Sequence, residues 1–226
     1  MATIAENLAS VRMRLAASCE RAARDPGGVT LVAVTKVATS DEAAELYRLG
    51  VRHFGENRVM DGITRKNAIA APDAVWHLIG HLQRNKAASA LTGGFTRIHS
   101  VESLKLLDVL ERECGKLGIK ADILLEVNVS GEKAKYGVTP EDIFVLANKA
   151  VVMQNLRLRG LMTMAPFTTD PETSRPVFRE LVRLREDLRQ KLGQDLPELS
   201  MGMTGDFEVA VEEGATLVRI GTALFS

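Results

Sequence analysis

Two rhythms of apolar and polar positions alternate along the chain. Ile4, Leu8, Val11, Met13 and Leu15 recur at roughly helical spacing with charges between them, which predicts an N-terminal helix over the first two dozen residues. Asp25-Pro26-Gly27-Gly28 breaks that pattern. Thr30 to Thr35 follows as a short, β-branched, apolar run, the signature of a buried strand. Ser40-Asp41-Glu42 then opens a helix with a cap and an acidic first turn, and Gly50 stops it.

The same alternation repeats to the end. Strand-like segments are 51–54, 75–79, 97–100, 121–129, 156–162, 199–201 and 216–220, with helical patterns between them such as 103–117 and 171–192. Counting the run at Thr30, this makes about eight strand–helix units, the number a closed (β/α)8 barrel requires. An open doubly wound sheet would alternate similarly, but no G-x-G-x-x-G follows any strand. With no linker, low-complexity tract or shift in composition, the expectation is one TIM-type barrel domain over residues 1–226, preceded by an extra helix.

Composition narrows the function classes. Lys plus Arg equals Asp plus Glu at 29 each, so no overall charge draws the chain to nucleic acid or an anionic membrane. No apolar run is long enough to span a bilayer, and the N-terminus lacks the apolar stretch of a secretory signal. Cys19 and Cys114 form no C-x-x-C pair and are expected to be reduced thiols of a cytoplasmic protein.

Barrel sites form at the C-terminal ends of the strands. The polar residues there are Lys36, Glu56, Asn57, His81, Asn128, Ser130, Thr163, Met203-Thr204-Gly205 and Gly221-Thr222. A lysine at the end of a buried strand either carries chemistry or extends its ammonium past the rim. Partial burial would favour the free amine that Schiff-base formation needs. The glycine-rich stretches Ser200-Met201-Gly202-Met203-Thr204-Gly205 and Arg219-Ile220-Gly221-Thr222 suit a barrel phosphate site, or else ordinary turns with a helix cap at Thr204 and acids Asp206 and Glu208 in its first turn. Arg219 alternates with Leu217 and is expected to face the barrel interior, where it needs an acceptor: Glu56, Glu126 or a ring nitrogen of a ligand. His77 and His81 lie four apart but span a strand end, without a third ligand nearby, so no metal is expected. Lys133 and Lys135 fall in a loop after the fifth strand, as solvated side chains.

The chain also resembles a known family along nearly its whole length. The matching stretches are Val32-Ala33-Val34-Thr35-Lys36, Phe54-Gly55-Glu56-Asn57, Trp76-His77-Leu78-Ile79-Gly80 with Leu82-Gln83 and Asn85-Lys86, Arg159-Gly160-Leu161-Met162, Leu199 to Thr204, and Val218-Arg219-Ile220-Gly221-Thr222-Ala223. Together and in this order they are similar to the pyridoxal phosphate homeostasis proteins (YggS-like, also called proline synthetase co-transcribed homologues). The resemblance implies a fold like the N-terminal barrel of alanine racemase, with pyridoxal 5′-phosphate attached to Lys36 as a Schiff base. It implies phosphate contacts from Ser200, Met203, Thr204, Gly221 and Thr222, Asn57 beside the cofactor, Arg219 facing its pyridine nitrogen, and Lys135 near the site mouth. The family's role is in vitamin B6 supply, without an established turnover. Three departures stand out: Val37-Ala38-Thr39 where many members carry a second lysine and a proline, His81 where proline is frequent, and Thr204-Gly205 where a serine pair is usual. The first puts a secondary cofactor site near Lys36 in doubt.

Three functions share a lysine and a phosphate site: a cofactor carrier or regulator, an amino-acid racemase, and a Schiff-base aldolase. An aldolase has no pyridine nitrogen for Arg219 to face. A racemase needs acid–base groups on both faces of the substrate α-carbon. The sequence ends at Ser226, just past the eighth strand, without the second domain that completes the alanine racemase site. The expectation is therefore a non-catalytic carrier, probed by apo pyridoxal phosphate enzymes as recipients, and monomeric.

Overall fold

The computed structural model describes residues 2–132 and 135–226. The apolar runs form β1 Thr30–Val34, β2 His53–Glu56, β3 Val75–Leu78, β4 Arg97–Val101, β5 Ala121–Glu126, β6 Leu156–Met162, β7 Glu198–Met203 and β8 Leu217–Ile220. All neighbours pair in parallel, and β8 closes on β1 through Thr30–Leu217, Leu31–Val218, Val32–Arg219 and Ala33–Ile220. The helices are α1 Ile4–Arg21, α2 Ser40–Arg48, α3 Val59–Ile69, α4 Ala87–Thr92, α5 Leu104–Leu117, α6 Ile143–Val151, α7 Arg175–Leu192, α8 Phe207–Glu212 and α9 Thr222–Phe225. This is the predicted (β/α)8 barrel with its additional N-terminal helix.

The extra helix α1 begins with a capping box, in which Thr3 and Glu6 satisfy each other's backbone N–H groups. It buries Leu8, Val11, Leu15, Ser18 and Cys19 against the barrel, while Met13 points outward. A residue two positions from its neighbours on a helix cannot share their face. Arg14 and Arg21 pair with Glu208 and Glu212 of α8, and the Asn7 amide donates to the Leu224 and Ser226 carbonyls. The helix thus ties the end of the chain to its start.

Boundaries differ from the sequence pattern where turns compete. The cap of α2 is Thr39, in a capping box with Glu42, so Ser40 is the first helical residue. Strand β2 starts at His53, because the Val51 N–H is taken by the Leu46 carbonyl at the end of α2. Glu56 therefore falls inside the strand. Strand β5 stops at Glu126 and β7 runs on to Met203. No helix is long and apolar enough to cross a membrane among the described residues.

Most apolar side chains pack between the sheet and the helices, including the buried free thiols of Cys19 and Cys114. Inside the barrel lies a separate small cluster of Val32, Leu124, Met162 and Leu217. The register of β7 on β8 shifts between Ser200 and Met203, where Gly202 adopts φ 89°. A Cβ there would lie 2.5 Å from Ala210 Cβ and 2.9 Å from Phe207 Cα. Gly202→Ala is accordingly expected to cost about 2–4 kcal/mol through strain and overpacking. Urea unfolding measures it, as a lower midpoint at unchanged slope.

Candidate cofactor site

Lys36 occupies the turn that follows β1, closed by the Ala38 N–H donating to the Thr35 carbonyl at 2.9 Å. Both flanks of the turn are held by one buried carboxylate. Glu56, fully buried, accepts hydrogen bonds from Thr35 Oγ1 and from Arg65 Nη1, and Arg65 Nη2 donates to the Ala38 carbonyl at 2.9 Å. The second Glu56 oxygen and Arg65 Nε have no partner among the described residues. Lys36 itself is exposed and forms no ion pair among them. Of the two alternatives for a strand-end lysine, the structure has the side chain extending past the rim: the turn carries it beyond the strand end, and Glu56 is already committed to Arg65.

Lys36 opens onto a cavity of about 490 Å³ at the C-terminal rim. Asn57, Met203, Thr204, Arg219, Gly221 and Thr222 line the same cavity. Asn57 reaches it because Gly80, at the end of β3, lets the two backbones touch; a Cβ on Gly80 would lie 2.4 Å from the Asn57 carbonyl oxygen. The backbone N–H groups of Thr204, Gly205, Gly221 and Thr222 donate to no acceptor among the described residues. Thr204 Oγ1 accepts from the Ala223 N–H, joining the two loops. The Met203 N–H is different: it donates to Asp206 Oδ1 at 2.7 Å. Asp206, not Thr204, stands at the cap position of α8, and Ser174 steadies its other oxygen.

Ser200 lies beneath the cavity rather than on its wall. It is fully buried, and its Oγ accepts from Arg219 Nη1 and meets His99 Nδ1 at 2.9 Å. Arg219 Nη2 donates to the Thr163 carbonyl at 2.8 Å. Arg219 faces inward as its alternation with Leu217 predicts, but neither Glu56 nor Glu126 hydrogen-bonds it. Burial lowers its pKa to about 10, while the charges of Glu126 and Asp206 pull upward. Behind Ser200, His99 Nδ1's ring continues through Nε2 to His77 Nδ1 at 2.8 Å, and His77 Nε2 to His53 Nδ1 at 2.9 Å. These histidines sit within β2, β3 and β4, not at the C-terminal strand ends where the sequence points to site residues. Their inward parity on those strands was the available signal.

The remaining candidates are accounted for locally. His81 Nδ1 lies 3.1 Å from Glu102, with its ring stacked on Tyr136 at 4.1 Å, and both His77 nitrogens are occupied by histidines. Asn128 braces its own loop through the Glu132 carbonyl and the Ser130 hydroxyl, and Thr163 Oγ1 donates to the Val127 carbonyl. Lys135 is not freely solvated: it pairs with Glu132 at 2.8 Å. Lys133 lies outside the described residues.

A closed parallel barrel that brings an accessible lysine, unpaired backbone donors and a buried arginine to one C-terminal rim is a barrel of the alanine-racemase class, and residues 6–226 match the family "Alanine racemase, N-terminal domain". The pyridoxal phosphate homeostasis protein of Aquifex aeolicus is 42% identical over 97% of this chain and 96% of its own. PipY of Synechococcus elongatus, solved with pyridoxal phosphate bound, is 36% identical, with a TM-score of 0.86 over 99% of this chain and 100% of its own. An alanine racemase of Clostridium difficile shares the fold at 14% identity and a TM-score of 0.71, covering 95% of this chain and 58% of its own. The chain belongs to the pyridoxal phosphate homeostasis protein family.

Glu126, also on the cavity wall, gives the site a pH signature. It is 3% exposed, and burial first, then the charge of Glu102, raise its pKa from 4.5 to about 7 against the pull of Arg219. The folded state thus holds a proton that the unfolded state has released. The resulting stability is complete below pH 4.5 and lost as pH rises through about 7. The gap corresponds to about 3 kcal/mol. Glu126→Gln is expected to remove this dependence, so the variant gains on the wild type as pH rises. Urea unfolding across that range tests it; parallel stability curves would contradict the assignment.

Proposed function

We propose that this chain binds pyridoxal 5′-phosphate through Lys36 and serves vitamin B6 homeostasis without amino-acid turnover. The carrying observation is that the exposed Lys36 amine and four unpaired backbone N–H groups, those of Thr204, Gly205, Gly221 and Thr222, open onto one cavity. Unpaired amides at this rim fit a phosphate, which supplies the acceptors they lack. PipY, a relative solved with the cofactor, supports the same choice.

When bound, pyridoxal 5′-phosphate would supply an aldehyde group, and Lys36 would supply the amine that holds it as a Schiff base. The chain's own residues do the rest. Thr204, Gly221 and Thr222 hold the phosphate, with Gly205 added to the set read from sequence. Asn57 borders the ring, and Met203 contributes its side chain while its N–H serves Asp206. Ser200 acts one step back, as the acceptor that orients Arg219. Arg219 would serve the pyridine nitrogen as a donor. With a pKa of about 10 it keeps its proton at neutral pH. A ring nitrogen that receives a hydrogen bond but no proton is a poor electron sink. Tyr47 is spent on Asp73 on the outer surface, and Tyr136 stacks on His81 at the mouth. Lys36 can then serve one face of a substrate α-carbon, half of what a racemase requires. The partners that follow are the cofactor and apo enzymes that accept it. We place the protein in the cytoplasm as a monomer, where its two buried thiols stay reduced.

The visible absorption of the bound Schiff base should vanish in Lys36→Ala, and borohydride should fix the cofactor mass on the Lys36 peptide. Label on Lys133 or Lys135 instead would sink the assignment. Pyridoxal lacking its phosphate should bind more weakly by on the order of 10²–10⁴-fold, since two or three charge-assisted hydrogen bonds are lost; equal affinity by titration would remove the phosphate from the cradle. Loss of α-deuterium from labelled amino acids should stay near the rate of free cofactor. Exchange at about 1 s⁻¹ or faster, abolished in Lys36→Ala, would make the protein a racemase.

A further inference from the structure

Arg219 is a donor without an acceptor lone pair. Its Nη1 donates to Ser200 Oγ, whose hydroxyl has a single hydrogen and one other partner among the described residues, His99 Nδ1 at 2.9 Å. The hydroxyl must therefore donate to His99 Nδ1. That leaves the His99 proton on Nε2, which donates to His77 Nδ1 at 2.8 Å. The His77 proton is then on Nε2, donating to His53 Nδ1 at 2.9 Å. His53 carries its proton on Nε2, at the opposite, N-terminal rim of the barrel, where β2 begins.

We propose that Ser200, His99, His77 and His53 form a one-directional hydrogen-bonded chain that positions Arg219 for its ligand, its direction set by the guanidinium at one end. In this order every member turns a lone pair toward Arg219 and its O–H or N–H away. The dipoles align with their negative ends on a buried cation that no carboxylate touches, and chains so aligned polarise one another. The opposite order would leave the Ser200 hydrogen without an acceptor and turn positive ends toward Arg219. His77 and His99 suit neutral imidazoles: burial first, then their neighbouring histidines and arginines, hold both well below the usual histidine range. The charged groups facing the chain are Arg219 at the inner end and Arg97 at the outer, the latter paired with Asp122 and Glu198.

The role of the chain toward a ring nitrogen rests on the pyridoxal phosphate reading of the cavity; its direction does not. The test is nitrogen NMR of the ligand-free protein labelled at histidine, with His53, His77 and His99 assigned by single substitutions. At neutral pH all three should appear as neutral Nε2–H tautomers. An Nδ1–H or doubly protonated His77 or His99 would overturn the proposal. In Ser200→Ala the His99 Nδ1 signal should move to that of an unbonded nitrogen, and pyridoxal 5′-phosphate should bind about tenfold more weakly, the effect of one hydrogen bond to a charged group. Wild-type affinity in a folded Ser200→Ala would refute the positioning role. Should Ser200→Ala fail to fold, His99→Asn, judged by the same titration, replaces it. A wild-type protein that takes up no pyridoxal 5′-phosphate would end the functional reading while the tautomer spectrum still judges the chain.

Discussion

The pairing of β8 with β1 is the constraint on which the site depends. Residues nearly the whole sequence apart, such as Ala33 and Ile220, become register partners, so Lys36 and the Gly221-Thr222 turn emerge side by side. Parallel closure then sends every strand's C-terminal end to one rim, where the adjoining Met203-Thr204-Gly205 loop completes the cradle. The register shift at Gly202 and the close approach of Gly80 to Asn57 are local departures from that frame.

The interior of the barrel divides its work. Val32, Leu124, Met162 and Leu217 form an apolar plug, while the histidines, Ser200 and Arg219 occupy a polar seam beside it. A buried polar seam costs stability unless each member is satisfied. Here hydrogen bonds run from rim to rim, and Arg219 also reaches the Thr163 carbonyl. Glu126 is the exception. Its side chain sits on the cavity wall with no hydrogen bond among the described residues, and burial raises its pKa to about 7.

Much of this was legible beforehand. The eight strand positions follow from apolar, β-branched runs between breakers, and the inward face of Arg219 follows from the two-residue period of a strand. The motifs at Lys36, Asn57, Thr204 and Gly221 name a rim that the closed sheet then assembles. What was not legible depends on which of several acceptors a donor reaches. Nothing local says that Glu56 belongs to Arg65 rather than Arg219, that Asp206 takes the Met203 N–H, or that Ser200 faces down instead of into the cavity. Nor does spacing along the chain reveal that histidines on three consecutive strands share one seam.

The clamp around Lys36 divides the freedom of that residue unevenly. Thr35 and Ala38 are tied through Glu56 and Arg65, so the backbone on both sides of the lysine is fixed, while its side chain projects unpaired. On the Schiff-base reading of Lys36, capture of a ligand would order the rotatable bonds of that lysine, on the order of 1.5–2 kcal/mol of entropy. The ordering at that end would fall on one side chain, since the backbone that carries it is already tied on both sides.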